Sequence, residues 1–114
     1  QIQSAPSTWS SPVSIKLVVL YPTPIDPAAF ERAYHAEHMP LMRRVITPPD
    51  RTPTFKVVGP QAAPFYRMAE VHFATLEDLS AFATSPEGRH ARSSAQRLST
   101  GGEPVVLVCE ADAR

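Results

Sequence analysis

The sequence contains little cysteine, no excess charge of either sign and no long hydrophobic run. A single cysteine, Cys109, excludes an internal disulfide and is typical of a reducing compartment, so we expect a cytoplasmic location. Lys plus Arg and Asp plus Glu are equal at 11 each, which leaves nothing to attract nucleic acid or anionic lipid. Apolar runs such as Leu17 to Tyr21 are far shorter than the roughly 20 residues of a membrane-spanning helix. We therefore expect neither a nucleic-acid partner nor a membrane.

Glycine is also scarce, and this removes several families of active site. The four glycines stand at positions 59, 88, 101 and 102, without the spacing of a phosphate-binding loop or a dinucleotide fingerprint. No nucleophile elbow is present either. Cys109 lies in an apolar run, where we expect a buried and inert thiol rather than a reactive one.

The remaining composition is that of one globular domain. A chain of 114 residues supports one hydrophobic core. Residues 1–14 are rich in Ser, Pro and Gln, and we expect an extension that is mobile or that lies along a partner subunit through Trp9. Residues 15–114 are then the single folded domain.

Alternation, periodicity and capping residues predict six elements within that domain, the second helix in two segments. Asp26 before Pro27, Thr75 before Leu76 and Ser85 before Pro86 are helix-start signals. The predicted elements are a strand at 15–21, a helix at 28–45, a short edge strand at 54–58, a strand at 65–74, helical segments from 76 and from 86, and a strand at 104–110. This order predicts an α+β fold of the ferredoxin-like βαββαβ type, a four-stranded antiparallel sheet with two helices on one face.

The first and last predicted strands are apolar at nearly every position. A sheet with helices on one face would show alternating polar residues on the other face if that face met water. We therefore expect a second copy of the chain to cover the open face, giving a homodimer with a closed two-fold interface that forms an α+β barrel.

One helical stripe carries the most unusual residue. Phe30, Tyr34, His38, Leu41 and Val45 fall within about 80° of arc, so His38 is the polar member of an apolar stripe, and His35 lies off it. Pro40 removes an amide donor, and we expect the helix to kink or end there. Burial would favour the neutral imidazole that a general base requires. On spacing alone, a structural histidine bonded to a freed carbonyl is the favoured interpretation.

The motif Tyr34-x-x-x-His38-x-Pro40-Leu41 and the later run Met68 to Phe73 that leads into Leu76-Glu77-Asp78-Leu79 are similar to the EthD-like family of dimeric α+β barrel proteins. The resemblance covers roughly residues 15–110. In that superfamily a histidine from the first helix lines a small pocket in each subunit, and His38 takes that position. The resemblance implies a cofactor-independent enzyme acting on a small, apolar, oxygenated compound, such as an aromatic, ether or polyketide-derived one. Cyclisation, dehydration, decarboxylation or oxidation, of the kind used in catabolism, are the expected reactions.

From these considerations we expect a site with named roles. His38 is the acid/base residue and Tyr34 its catalytic partner; the residues expected to contact the substrate are Tyr21, Phe30, Leu41, Tyr66, Glu70 and His72. Strand alternation places Glu70 and His72 on one face, either at the dimer interface or in the pocket beside His38. A metal site built from His35, His38 and His72 lacks a completing cysteine or carboxylate pair, so we expect no metal and no cofactor.

Two alternatives from other classes remain open at this point. The chain could be a non-catalytic binding or accessory dimer in which His38 is structural. It could also be a haem-binding relative, because haem-dependent enzymes share the superfamily fold, and the absorbance spectrum of the purified protein would separate that alternative.

Overall fold

A computed structural model describes residues 14–112, and the extension predicted for residues 1–14 lies almost wholly outside this range. Within it the strands are β1 (Ile15–Pro22), β2 (Thr54–Lys56), β3 (Phe65–Phe73) and β4 (Val105–Glu110). The helices are α1 (Pro27–Ala33), α2 (Met39–Val45), α3 (Leu76–Thr84) and α4 (Pro86–Leu98). A π-helical turn, Tyr34–His38, joins α1 to α2, and a 3₁₀ turn, Pro49–Arg51, precedes β2. The predicted order of elements is confirmed, with β2 two residues shorter than expected.

The helix starts follow the predicted capping chemistry. The Asp26 carboxylate accepts a hydrogen bond from the Ala29 amide at 3.2 Å. The Thr75 hydroxyl accepts one from the Asp78 amide at 3.1 Å, and the Ser85 hydroxyl accepts one from the Gly88 amide at 2.9 Å. Each side-chain oxygen satisfies an amide that has no partner within its own helix, which is why these helices begin where they do.

Gly88 permits the close packing of α4 against the end of α3. A Cβ atom at this position would clash with the Phe82 carbonyl. The absence of a side chain therefore allows the two helices to meet at a tight angle just after the Ser85 cap.

The four strands form one antiparallel sheet in the order β2-β3-β1-β4. Leu17 of β1 lies opposite Val71 of β3 on one side and Val108 of β4 on the other. This is the ferredoxin-like arrangement with β1 and β3 at the centre, so the predicted fold class is confirmed. No helix within residues 14–112 is long and apolar enough to cross a membrane.

The helices pack on the face of the sheet that carries the odd-numbered residues of β1. We call it the covered face. Its buried residues form two hydrophobic clusters with the helices. The first contains Ile15, Met42, Ile46, Val71, Phe73, Leu79 and Ala91, and the second contains Tyr21, Phe30, Tyr34, Met39, Ala95 and Leu98.

The other face, which we call the open face, has no element of residues 14–112 packed over it. Its apolar residues come from all four strands and include Val18, Leu20, Phe55, Met68 and Leu107. Every residue of β4 is exposed, and this includes Cys109. The expected burial of Cys109 is therefore wrong for the single chain, because its side chain lies on the open face at the edge of the sheet.

The first long helix continues past Pro40 instead of ending there. The Met39 amide donates to the Tyr34 carbonyl five residues earlier, which widens the helix into a π-helical turn. Such a turn accommodates the hydrogen bond that Pro40 cannot make, and α2 then runs on to Val45. The widened turn contains both Tyr34 and His38, the two residues predicted to be catalytic.

Candidate functional site

A cavity of about 340 Å³ lies between the covered face of the sheet and α4. Leu17, Val19, Val106 and Val108 form its wall on the sheet, and Ala91 and Ala95 belong to its wall on α4. Residues of both hydrophobic clusters border it, so the cavity occupies the place where the two clusters do not meet. A volume of this size is at the lower end of the range for small-molecule sites.

His38 borders this cavity from the π-helical turn. The residue is 6% exposed, and its Nδ1 lies 2.9 Å from the hydroxyl oxygen of Ser94 on α4. Its Nε2 has no hydrogen-bond partner among residues 14–112. One ring nitrogen is thus held by the protein, and the other is left for a molecule in the cavity.

Burial lowers the pKa of His38 to about 4, and the nearby positive charge of Arg97 acts in the same direction. Desolvation penalises the charged form of an imidazole, and a cation adds to that penalty. The ring is therefore neutral at physiological pH, with one nitrogen that carries a proton and one that can accept a proton.

Tyr21 supplies a second polar group to the cavity wall. Its side chain is buried, and its hydroxyl has no hydrogen-bond partner in the described part of the chain. Burial raises the pKa of this hydroxyl well above its usual value. The group is therefore a neutral donor that a bound molecule can use.

Tyr34 borders the cavity, but its hydroxyl is already engaged. The hydroxyl lies 2.6 Å from the Thr54 hydroxyl, and the residue is 0% exposed. Its ring is tilted against that of His38, with 5.5 Å between the ring centres. Tyr34 therefore supports His38 through its ring, while its hydroxyl ties the π-helical turn to β2.

A buried arginine holds Tyr34 from the other side. The Arg67 guanidinium lies 4.5 Å from the centre of the Tyr34 ring and donates two hydrogen bonds to the Glu31 carboxylate at 3.1 and 3.0 Å. Although burial opposes it, hydrogen bonds from Arg67 and Tyr66 keep the pKa of Glu31 below its usual value. The pair fixes α1 against β3 and thereby the position of the turn that carries His38.

The three other aromatic and aliphatic residues predicted to contact a substrate do not border the cavity. Phe30 stacks on Tyr34 within the second cluster, at 5.4 Å between ring centres. Leu41 is buried away from the cavity wall. The pairing of β1 with β3 skips Tyr66, and this irregularity brings the Tyr66 ring to 5.5 Å from Phe30, outside the cavity.

His72 and the Glu70 carboxylate are on the open face. The His72 Nε2 lies 2.8 Å from a Glu70 carboxylate oxygen, and the Lys16 ammonium lies 3.2 Å from the same oxygen. Glu70 borders the cavity at the sheet, but its carboxylate is committed to these two partners. The alternative in which Glu70 orients His38 is therefore not realised.

The three histidines considered as metal ligands do not converge. His38 is buried beneath α4, His72 lies on the open face, and His35 is exposed beside Glu31. Across residues 14–112 no group of three or more His, Cys, Asp or Glu side chains is placed to hold a metal ion.

Sequence reasoning did not single out Ser94 or Arg67. The helix that carries Ser94 appears mainly polar, yet Gly88, Ala91, Ser94, Ala95 and Leu98 are buried at helical spacing along it. That stripe of small residues was the available signal, because it marks the side of α4 that packs closely on the π-helical turn.

The EthD domain family model matches residues 22–96. The chain belongs to the EthD family. The resemblance found in the His38 motif is thereby confirmed, and the matched range includes the π-helical turn, the central strand β3 and most of α4. A curated relative from Rhodococcus erythropolis, an uncharacterized 11.0 kDa protein in the thcB-thcC intergenic region, is 27% identical over 97 residues, which are 83% of this chain and 93% of that protein.

Solved structures place this EthD protein among ferredoxin-like folds. A crystal structure of an ethyl tert-butyl ether D (EthD) family protein from Bacillus halodurans has a TM-score of 0.76 and 25% identity, covering 87% of this chain and 99% of that chain. A dimeric protein of unknown function and ferredoxin-like fold from Bacteroides fragilis has a TM-score of 0.53 and 15% identity, with 84% and 94% of the two chains covered. These likenesses agree with the order and antiparallel pairing of the four strands.

Proposed function

We propose that this EthD-family protein is a cofactor-independent enzyme in which His38 performs acid/base chemistry on a small, apolar, oxygenated compound. The observation that carries the proposal is the state of His38 in the cavity. Its ring is neutral, one nitrogen is anchored to Ser94, and the other has no partner within the described residues. A structural histidine would be expected to use both nitrogens within the protein.

The cavity restricts the chemical class of the substrate. Its walls are mainly apolar, with Arg92, Gln96 and Glu103 also in the lining, and the side chains that contact the His38 ring, Ser94 and Tyr34, are uncharged. An aromatic, ether or polyketide-derived molecule with few polar atoms fits such walls. A positioned acid/base residue supplies about 10²- to 10⁴-fold acceleration, which suits cyclisation, dehydration, decarboxylation or oxidation of a reactive substrate.

Tyr21 replaces Tyr34 as the orienting hydroxyl in this proposal. The Tyr34 hydroxyl is bonded to Thr54, whereas the Tyr21 hydroxyl has no partner in residues 14–112. We assign Tyr34 the role of supporting the imidazole and Tyr21 that of contacting the substrate oxygen.

The test is turnover of a panel of small aromatic ketones, aryl ethers and polyketide-like β-diketones, followed by mass spectrometry. We expect His38→Ala to lower the turnover of any compound consumed by about 10²- to 10⁴-fold while the melting temperature stays close to that of the parent protein. His90→Ala is the matched control, because His90 is an exposed histidine on α4.

Unchanged turnover in His38→Ala would reject the proposed role of His38. If compounds of the panel bind in the cavity and none is consumed by the parent protein, the non-catalytic binding protein becomes the better description. A cytoplasmic location, which the single cysteine favours, belongs to the same proposal.

We also infer that the active form is a homodimer joined through the open face. Val18, Leu20 and Leu107 lie on this face beside the partly buried Lys16, Glu70 and His72 group. An exposed apolar sheet face of this kind is typical of a protein interface. The Bacteroides fragilis neighbour, which shares the fold, is described as dimeric.

A further inference from the structure

Among residues 14–112, the hydroxyl proton of Ser94 has a single available acceptor, Nδ1 of His38. Ser94 is buried in the middle of α4, and its hydroxyl contacts Nδ1 of His38 at 2.9 Å. A serine inside a helix often donates to the carbonyl four residues earlier, as Thr84 does to Ser80 at 2.9 Å. Ser94 makes no such bond to His90 or to another group in residues 14–112. The direction of the bond to His38 therefore decides whether this buried proton is satisfied.

The two neutral tautomers of His38 differ in which hydrogen-bonding group of the His38 and Ser94 pair they leave without a partner. If Nδ1 carries the proton, it donates to Ser94, and the serine proton is left without an acceptor in the described part of the chain. If Nε2 carries the proton, Ser94 donates to Nδ1, and both groups of the pair are satisfied. Buried donors without partners are rarer in proteins than acceptors with a spare lone pair, because losing a donor bond is costly.

We propose that Ser94 holds His38 in the tautomer with the proton on Nε2, so that the cavity presents an N–H donor to the acceptor oxygen of a ligand, most suitably a carbonyl. The catalytic importance of this tautomer rests on the proposed function, and the tautomer identifies carbonyl compounds as the substrate class of that site. Ser94 is a positioning residue, since it acts on the ligand through His38.

The hydroxyl of Tyr21 strengthens the choice of a carbonyl. It borders the same cavity, has no partner in the described chain and stays protonated. A carbonyl oxygen has two lone pairs and can accept more than one hydrogen bond, and donors held in place by the protein stabilise charge that develops on such an oxygen. His38 then polarises the carbonyl in the resting enzyme.

The tautomer can be read directly in the full chain by NMR with ¹⁵N-labelled histidine. We expect the His38 Nδ1 to resonate as a nitrogen without a proton and the Nε2 as one with a proton, at pH 7 and without ligand. The His38→Ala variant assigns the signals. Observation of the proton on Nδ1 would overturn the proposal, even if His38→Ala later abolishes turnover, so the two proposals fail separately.

Ser94→Ala tests whether the serine sets this state, and Ser93→Ala, an exposed neighbour on α4, is the matched control. We expect the two His38 nitrogen shifts to move toward each other in Ser94→Ala and to stay unchanged in Ser93→Ala. Unaltered shifts in Ser94→Ala would show that another group sets the tautomer and would refute the role of Ser94. A merely structural serine would change the melting temperature without this spectroscopic effect.

Acetophenone and ethylbenzene are a matched pair of probes that differ in the carbonyl oxygen. Acetophenone is expected to shift the Nε2 proton signal of His38 downfield and ethylbenzene to leave it nearly in place. Ser94→Ala should weaken acetophenone binding by roughly tenfold, the effect of losing about one hydrogen bond. Equal shifts with both probes, or none with acetophenone at saturation, would exclude a carbonyl as the ligand group.

Discussion

The two faces of the sheet carry similar apolar residues, but these residues are buried to different extents. On the covered face Ile15, Tyr21 and Val71 are buried beneath the helices. On the open face, Val18 and Leu20 alternate with Ile15 and Tyr21 along β1, yet they are only partly buried. Both sets are apolar, so hydrophobicity alone does not say which face becomes the core. The helices decide this, since they can cover only one side of the sheet.

The covered face is also incompletely filled. Its two clusters of buried residues both border the cavity, and His38 lies at the cavity wall. Burial of these clusters stabilises the fold, and the burial of His38 keeps its imidazole neutral. The open face instead places its charged group, Lys16 with Glu70 and His72, in the midst of apolar neighbours. We expect the covered face to hold the catalytic site and the open face to form the dimer interface.

Truncation of equivalent aromatic residues should give the largest contrast between the faces. Phe73 on the covered face is 2% exposed, and Phe55 on the open face is 47% exposed. We expect Phe73→Ala to lower the free energy of unfolding by about 3–5 kcal/mol, because it leaves a cavity in the first cluster. Phe55→Ala should cost half of that or less in the same urea titration. Equal losses would mean that the open face is as well packed as the core.

The covered face should also show a histidine-dependent loss of stability in acid. The pKa of His38 is about 4 in the folded chain and 6.5 ordinarily, so the unfolded chain binds the proton first as pH falls. Stability is therefore complete above pH 6.5 and declines toward pH 4, by about 3 kcal/mol in all and about 2 kcal/mol by pH 5.

His38→Gln is the variant that isolates this effect, because it has no imidazole to titrate. Its free energy of unfolding, measured from pH 7 to pH 5, should be flatter than that of the parent protein by about 2 kcal/mol. Parallel curves for the two proteins would contradict the burial of a neutral His38.

A charge on the open face should separate the subunits of the proposed dimer. Leu107 is 45% exposed at the centre of β4. We expect Leu107→Asp to raise the dimer dissociation constant by about a hundredfold, or about 2.7 kcal/mol, because an unpaired carboxylate would be buried at the interface. Val58→Asp is the control, since Val58 is 93% exposed and lies outside the sheet. Analytical ultracentrifugation that finds the same association state in Leu107→Asp and the parent would reject the open face as the interface.

The smallest effect is expected from the charged group on the open face. Although burial opposes it, hydrogen bonds with His72 and Lys16 lower the pKa of Glu70. Glu70→Gln should cost about 1 kcal/mol of unfolding free energy, as for a partly exposed ion pair. Glu37→Gln changes an exposed carboxylate without an ion-pair partner in residues 14–112 and should have no measurable effect. A loss above about 3 kcal/mol for Glu70→Gln would indicate a fully buried pair.

Much of the fold was predictable, and the reasons are local. Asp26, Thr75 and Ser85 start helices because each needs only an amide three residues away. The position of His38 on an apolar stripe follows from helical periodicity, and its burial agrees with that. The helical periodicity predicted for 28–45 does run to Val45, but where Pro40 predicted a kink or an end the structure has the π-helical turn Tyr34–His38 followed by α2.

The site was less predictable, because its parts are distant in the chain. Ser94 reaches His38 across 56 positions, and its importance depends on how α4 packs against the π-helical turn. Regular alternation along β3 would place Tyr66 on the open face with Met68, but the register of β1 with β3 is irregular beside Tyr21, and the Tyr66 ring contacts Phe30 instead. Both outcomes depend on contacts between distant elements, so neither can be inferred from the residues that flank Ser94 or Tyr66 in the sequence.

The sequence by itself determined the order of strands and helices, the caps, the apolar stripe that contains His38 and the resemblance to the EthD family. These depend on backbone geometry and on the spacing of nearby residues, which any segment carries with it. Only the tertiary structure decided which sheet face the helices cover, that the Tyr34 hydroxyl is engaged while the Tyr21 hydroxyl has no partner within residues 14–112, and that Ser94 contacts His38. Burial and hydrogen-bond partners are properties of the packed molecule, because they arise when distant elements together exclude water.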